Sequence, residues 1–371
     1  MSLYIDISEL LAVPMRTGIQ RISGELCRYF PPLTVTPVRL DGDRYVTLPV
    51  ELISAIGGYF RDGSESAVAA IGRLTSRNGP PVEISLSETV IVPEIFSEPR
   101  AAFFRAMPEQ QLQRCRFIVY DLLPFTHPEY FPAFMPSMMA GYYQIIRKAS
   151  CCGFISEYTR DAYYTRLKRT HERGGAVLPL GSDSLGPRPK RTILGRPLTF
   201  SVIGTIEPRK NHKLILDAFE PLLQQVRGLN LAFVGKMGWV EPAFSERVNR
   251  LAADRNSGFR FYPSPDDGAI RTCVENSRAT IYVSAAEGYG LPPVESLWLG
   301  TPVIASTTTP SLQQLGSAGV HYVEPVTVPN LRRAVFAFLN DAYANGKIEE
   351  AMYLRLPTWQ SFTDEVLQWC A

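Results

Sequence analysis

Short apolar, strand-like runs alternate with helix-like runs along this chain, and the alternation is interrupted once. That pattern admits few folds. Consecutive strands that run the same way need a helical crossover between them, so the chain is expected to be α/β with parallel sheets. In the first series, strands are predicted over 3–7, 89–92, 116–120, 152–155 and 176–178. A helical run follows the first strand, with Ile19, Ile22, Leu26 and Tyr29 at three- and four-residue steps. Residues 181–197 then break the pattern: Ser182-Asp183-Ser184-Leu185-Gly186-Pro187-Arg188-Pro189-Lys190-Arg191 is polar and aperiodic and reads as an interdomain linker.

A second series starts at 198–203 and continues with a helix over 213–226, a strand at 231–234 and a helix around 244–253. A strand at 259–262, a helix from Asp266 and a strand at 280–283 follow. The segment Trp359 to Cys370 is an amphipathic helix carrying Phe362, Val366, Leu367 and Trp369, expected to cross back onto the first domain. The expected division is a Rossmann-like first domain over 1–185, a linker over 186–197, a Rossmann-like second domain over 198–355 and a returning helix over 356–371. Ligands in open α/β sheets sit at the carboxyl ends of strands, so the two halves are expected to face a central cleft.

Composition narrows the function. The 371 residues suffice for two domains with real cores, and 45% hydrophobic with 20% charged residues is ordinary for a soluble globular chain. A net charge of +2 does not point to a nucleic-acid partner. The six cysteines include no Cys-x-x-Cys, so no zinc ribbon or redox pair is offered. A disulfide framework is not expected, which fits a reducing compartment. The start lacks the basic end of a signal peptide, and no apolar run approaches the roughly 20 residues that span a bilayer. The expected location is cytoplasmic. The basic run Arg160, Arg166, Lys168, Arg169, His171 and Arg173, interleaved with Tyr158, Tyr163 and Tyr164, reads either as a contact with anionic lipid head groups or as a solvated helix face.

Four segments are placed to carry chemistry. Glu287-Gly288-Tyr289-Gly290-Leu291-Pro292-Pro293-Val294-Glu295 sets two carboxylates around a glycine turn between a strand and a helix start, where free backbone N–H groups favour an anion. Glu295 alone reads equally as a helix-start carboxylate that complements the dipole, and Glu287 as a solvated turn residue. Gly204-Thr205-Ile206-Glu207-Pro208-Arg209-Lys210-Asn211-His212 puts two cations just before a helix. They read as a diphosphate clamp, Arg209 by its planar fork and Lys210 as a point charge, or as a solvated basic turn. Gly18, after the first strand, allows close backbone approach to a ligand and serves an ordinary tight turn as well. Asp121 and His127 follow a strand of the first half and read as cleft residues or as structural ones.

Together these segments resemble the retaining glycosyltransferases of the GT-B fold, family 4. Glu287 to Glu295 is similar to the family's Glu-x7-Glu signature, and 203–211 to its phosphate-binding segment. Val234-Gly235-Lys236-Met237-Gly238-Trp239 resembles the loop after the next strand, and Pro302-Val303-Ile304-Ala305-Ser306 the strand after the signature helix. Thr17-Gly18-Ile19-Gln20-Arg21, Asp121-Leu122-Leu123-Pro124 and 154–160 also fit. The resemblance implies a nucleotide-sugar donor held by the second domain and an acceptor held by the first. It places Arg209 and Lys210 on the diphosphate, Glu295 on the ribose hydroxyls and Glu287 on the donor sugar. Gly288, Tyr289, Gly290 and Leu291 supply backbone N–H groups, Gly18 and Thr205 line the donor, and Tyr262-Pro263-Ser264 forms the rim for the base. No metal and no cofactor are implied.

The chain departs from the pattern at Thr205, where many relatives carry Arg, at Tyr120, where many carry His, and at Gln314, where many carry Glu. His127 is the replacement considered for the residue at 120. The expected partners are a GDP- or UDP-sugar donor and a saccharide or lipid-linked saccharide acceptor, with possible membrane-surface contact and no nucleic acid. The segment at 203–211 and the loop at 17–21 favour mannose from GDP-mannose. A non-catalytic nucleotide-sugar-binding scaffold of the same fold is the alternative. A glycoside hydrolase has no phosphate to hold and would not need the basic segment. A dinucleotide dehydrogenase would need a Gly-x-Gly-x-x-Gly after the first strand.

Overall fold

The computed structural model describes residues 2–12, 18–82, 84–85, 87–96, 98–168, 170 and 174–371. The chain divides into two compact units: 1–126 with 133–181 and 357–371, and 127–132 with 182–356. Residues 186–197, read from the sequence as a linker, form part of the second unit and contain no helix or strand.

The first unit is built on seven strands: β1 (Ser2–Asp6), β2 (Thr36–Asp41), β3 (Arg44–Thr47), β4 (Pro81–Val82), β5 (Glu88–Val92), β6 (Cys115–Val119) and β7 (Cys152–Phe154). Their order is β4-β3-β2-β1-β5-β6-β7. The pairs from β2 through β7 are parallel, and β3 and β4 join antiparallel at one edge. The sequence reading predicts neither β2, β3 nor β4. It predicts a strand at 176–178, where the structure has a single bridge between Val177 and Phe154. The helix Trp359–Cys370 belongs to this unit. Thr358 and Ser361 close a capping box at its start, and Trp359, Phe362, Val366 and Cys370 form its buried stripe.

The order of β2, β1 and β5 reverses the chain's direction of travel between β1 and β5, the kind of switch point where open sheets bind ligands. A buried charge network fills the carboxyl ends of those two strands. Asp6 accepts from the Tyr45 hydroxyl at 2.7 Å and from the Ser8 amide at 3.0 Å, and it is paired with Arg100. Glu94 accepts the Glu9 amide at 2.8 Å, with Arg100 Nη1 3.7 Å away. Burial pushes the Glu94 carboxyl up from its ordinary 4.5 to about 8, against the pull of Arg100 and with Asp6 and Glu9 adding to the rise. The buried Cys27 thiol and Tyr120 phenol also feel the Glu94 charge.

Because the folded pKa lies above the unfolded one, the folded chain holds this proton after the unfolded chain has shed it. The group therefore costs stability progressively as pH climbs from the ordinary carboxylate range to about 8. Glu94→Gln keeps an acceptor for Glu9 and removes the titration. The melting temperature of the variant, relative to the parent, is expected to rise with pH across that window. Parallel pH profiles for the two chains would show that Glu94 does not titrate there.

The second unit has six parallel strands: β8 (Thr199–Ile203), β9 (Asn230–Val234), β10 (Phe259–Tyr262), β11 (Ala279–Tyr282), β12 (Val303–Ala305) and β13 (Val320–Tyr322). Their order is β10-β9-β8-β11-β12-β13. Strands covered on both faces read as nearly continuous apolar runs, and every residue of β11 is buried. The Thr280 hydroxyl is hydrogen-bonded to Ser296 Oγ at 2.7 Å, which ties the sheet to the helix Leu291–Trp298. The core on this sheet is formed by residues such as Phe200, Phe219, Phe233, Phe259, Ile281 and Leu331. Among the described residues, no helix is long and apolar enough to cross a membrane.

Candidate functional site

The switch point of the second sheet lies between β8 and β11. The loops leaving these strands, 204–211 and 283–290, are therefore neighbours, although about 80 residues separate them in sequence. Several contacts hold them together, two of them to the main chain of Arg209 and Val283. The Ala285 amide donates to Arg209 O at 2.8 Å, and Asn211 Nδ2 donates to Val283 O at 2.7 Å. Asn211 adopts φ 57°, a left-handed conformation that asparagine tolerates better than most residues, and it precedes the helix His212–Gln225.

Lys210 lies near the end of the first loop, in the short helical turn Pro208–Lys210. Gly204 has φ 127°, and a Cβ there would lie 2.5 Å from Lys210 Nζ. A Cβ on Gly235, at the end of β9, would lie 2.2 Å from Gly204 O. The two glycines let the β8 and β9 loops close on each other and leave room for the ammonium. Among the described residues, the structure gives that ammonium neither a hydrogen bond nor an ion pair. Beneath it, the buried His212 ring lies edge-on to Phe233, with ring centroids 4.9 Å apart. Burial, helped by the Lys210 charge, drives its pKa down to about 3, so the imidazole is neutral at physiological pH and adds no charge of its own.

Arg209, expected from the sequence to clamp a phosphate, has carboxylates and a carbonyl as neighbours. Its guanidinium is buried and turned toward carboxylates. It is paired with Glu207, its Nη1 lies 2.5 Å from Glu287 Oε1, and the same nitrogen donates to Ala286 O at 2.6 Å. The contact with Glu287 is an ion pair without hydrogen-bond alignment. Glu287 itself is only 11% exposed, so the reading as a solvated turn residue does not hold. The phenol of Tyr282, at the end of β11, is held well above its ordinary pKa by burial and by the Glu287 charge.

The glycine turn enters the helix Leu291–Trp298 through Gly290, at φ 94°. Ser311 fastens the turn: its amide donates to Tyr289 O at 2.9 Å and its hydroxyl to Gly290 O at 2.7 Å. Pro292 and Pro293 occupy the second and third helical positions, so the first turn offers fewer N–H groups than a helix start of ordinary composition. Glu295 is 7% exposed and accepts from Ser184 Oγ. Tyr262 is 44% exposed at the end of β10, and its carbonyl accepts from the Gly235 amide at 3.0 Å. Thr205 lies beside the 235–239 loop, since a Cβ on Gly238 would meet its Cγ2 at 2.8 Å.

The remaining expected residues sit elsewhere. Gly18 is the first residue of the helix Gly18–Tyr29 in the first unit, and Thr17 lies outside the described residues. Tyr120 is buried, donates to Pro93 O and presents no side chain to solvent. Asp121 accepts the Leu123 amide at 3.0 Å, as a residue at a helix start does. His127 falls in the short segment grouped with the second unit, with Nδ1 3.2 Å from Glu129 Oε1. Nearby, Trp239 Nε1 donates to Tyr130 O at 2.8 Å. Gln314 is exposed. Of the basic run, Arg169, His171 and Arg173 lie outside the described residues; Tyr163 is buried and Lys168 donates to Ala149 O at 3.0 Å, so these two face inward. Sequence reasoning passed over Glu207, Asn211 and Ser184. The signal for Asn211 was present, since Asn directly before a helical run suits a left-handed entrance.

Two units with parallel sheets, and a site at the switch point of the second, define the GT-B fold of glycosyltransferases. Residues 188–355 match the glycosyl transferases group 1 family. The serotype-specific mannosyltransferase WbdA of Escherichia coli is 25% identical over 99% of this chain. The chain spans only 44% of that relative's length. O-antigen chain mannosyltransferase B of Escherichia coli is 24% identical over 69% of this chain and 70% of its own. Among solved structures, Anabaena Alr3699/HepE in complex with UDP and glucose aligns with a TM-score of 0.67 at 12% identity, over 99% of this chain and 98% of its own. WaaG, a glycosyltransferase involved in lipopolysaccharide biosynthesis, aligns with a TM-score of 0.62 at 12% identity, over 98% of each chain.

Proposed function

We propose that this chain is a retaining glycosyltransferase that moves a hexose or deoxyhexose from a nucleotide sugar to a growing surface polysaccharide or lipid-linked oligosaccharide. The observation that carries this reading is the Lys210 ammonium, without a partner among the described residues, on the loop after β8, next to the loop after β11 that carries Glu287, at the switch point of the segment that matches the glycosyl transferases group 1 family. Mannose from GDP-mannose is the favoured donor, supported by the two mannosyltransferase relatives. A UDP-sugar is the competing choice, since the HepE structure holds UDP.

In this reading, the bond between the sugar carbon and the diphosphate oxygen breaks, leaving positive charge on the sugar and negative charge on the phosphate. Lys210 and the N–H groups of 288–291 stabilise that phosphate without a metal ion. Glu287 addresses the sugar hydroxyls and Glu295 the ribose. The acceptor oxygen attacks on the face the phosphate leaves, and its proton passes to the departing phosphate oxygen. The products are the extended glycan, with retained configuration, and the nucleoside diphosphate.

A thermal-shift panel of nucleotide sugars tests the donor. A ligand at 100 times its dissociation constant stabilises the chain by about 2.7 kcal/mol, a clear rise in melting temperature. GDP-mannose is expected to give the largest shift. A larger shift with a UDP-sugar would reassign the base. No shift with any nucleotide sugar would sink the donor-site reading. A shift without transfer to any oligosaccharide acceptor would indicate a nucleotide-sugar-binding scaffold.

A further inference from the structure

We infer that Arg209 is a positioning residue that acts through Glu287, with Glu207 as its second carboxylate, and that recognition of the donor diphosphate falls to Lys210. The inference rests on the proposed donor site and divides labour within it. A nucleotide-binding arginine would be expected to turn its fork toward the phosphates. Arg209 instead has Glu207 on one nitrogen and both Glu287 and Ala286 O on another, all beneath the surface. The backbone carries the same assignment. Arg209 O accepts the Ala285 amide, so this one residue holds Ala285 by its main chain and Ala286 and Glu287 by its side chain. Glu207 faces the guanidinium from the start of the same short helical turn, Pro208–Lys210. Its carbonyl is held too, because Lys210 N donates to Glu207 O at 3.1 Å.

The arrangement explains why two adjacent cations behave differently. Lys210, one residue on, has no carboxylate partner among the described residues and stands in the space that Gly204 leaves open. It is the cation left to meet a phosphate. Arg209 determines instead where the Glu287 carboxylate points, and so which sugar hydroxyl it can address. A fork that spans two carboxylates does this better than a point charge, which is why lysine is not an equivalent replacement.

The test separates binding of the nucleotide from handling of the sugar. Arg209→Lys and Glu207→Gln are compared with Lys210→Met in the full chain. Calorimetry gives affinities for GDP and UDP, and steady-state transfer gives kcat and KM. Arg209→Lys and Glu207→Gln are expected to leave the affinity for the nucleoside diphosphate within about twofold, to lower kcat at least about tenfold, and to blunt the choice between sugars on the same nucleotide. Lys210→Met is expected to weaken nucleoside diphosphate binding at least about tenfold. Glu207→Gln changes the second carboxylate of Arg209 and leaves the arginine in place, so it reports the positioning role even if the arginine variant misfolds. If Arg209→Lys loses the nucleoside diphosphate as Lys210→Met does, Arg209 is a phosphate ligand and the inference is wrong. If Glu207→Gln leaves kcat and sugar choice unchanged, the inference is equally wrong. Should the parent chain bind neither GDP nor UDP, the donor site itself falls, a result distinct from either of these.

Discussion

Lys210→Met is expected to lower kcat/KM for transfer by about two to three orders of magnitude, the usual cost of deleting one preorganised charge aimed at a leaving group. The melting temperature is expected to change little. Methionine keeps the long apolar stem, and the ammonium it replaces has no partner among the described residues whose loss would leave a buried orphan. The neighbouring His212 ring is neutral either way, since burial is the main cause of its lowered pKa. Transfer assays with radiolabelled donor, alongside melting curves, check both halves of this expectation. A variant that retains parental kcat/KM would remove Lys210 from the site. A variant that loses activity and stability together would make the residue structural.

The position of that lysine was legible because phosphate handling leaves a local trace: two cations, a glycine and a helix start within nine residues. The partner of its neighbour was not. Nothing in the spacing of Glu207, Arg209 and Glu287 says that the arginine faces inward, because that depends on the strand order bringing the β8 and β11 loops together. The fold shows the same division. Short apolar runs announce the strands on either side of both switch points. The β2–β3 hairpin was missed although Asp41-Gly42 lies at its turn, because Pro37 and Arg39 interrupt the apolar run that would mark a strand. β13 has only three residues, Val320–Tyr322, too few for any period to show. The Asp6–Arg100–Glu94 network was invisible for a stronger reason. Its members come from three separate elements, and single charged residues in a sequence look solvated until topology buries them.

Glu287→Gln carries the second large expectation, and its two effects have opposite signs. The buried set of Glu207, Arg209 and Glu287 holds two carboxylates against one guanidinium, an excess of one negative charge in a desolvated place. Such an excess costs stability unless a ligand uses it. Glutamine has the shape of glutamate and leaves Arg209 its pair with Glu207, so no charge is orphaned. The variant is therefore expected to melt no lower than the parent, and higher by as much as about 1 kcal/mol of stability. Transfer is expected to fall by about 100-fold in kcat, with the nucleoside diphosphate still bound. Glu287→Ala should fall further, since it also opens space beside Tyr282 and the turn. The contrast with Glu207→Gln is informative. That change also removes a carboxylate from Arg209, but it leaves Glu287 paired and only less well aimed, so its loss of kcat should be the smaller of the two. Equal losses would mean that both carboxylates meet the sugar. A Glu287→Gln variant with parental kcat would show that the buried carboxylate, for all its cost to the fold, takes no part in transfer.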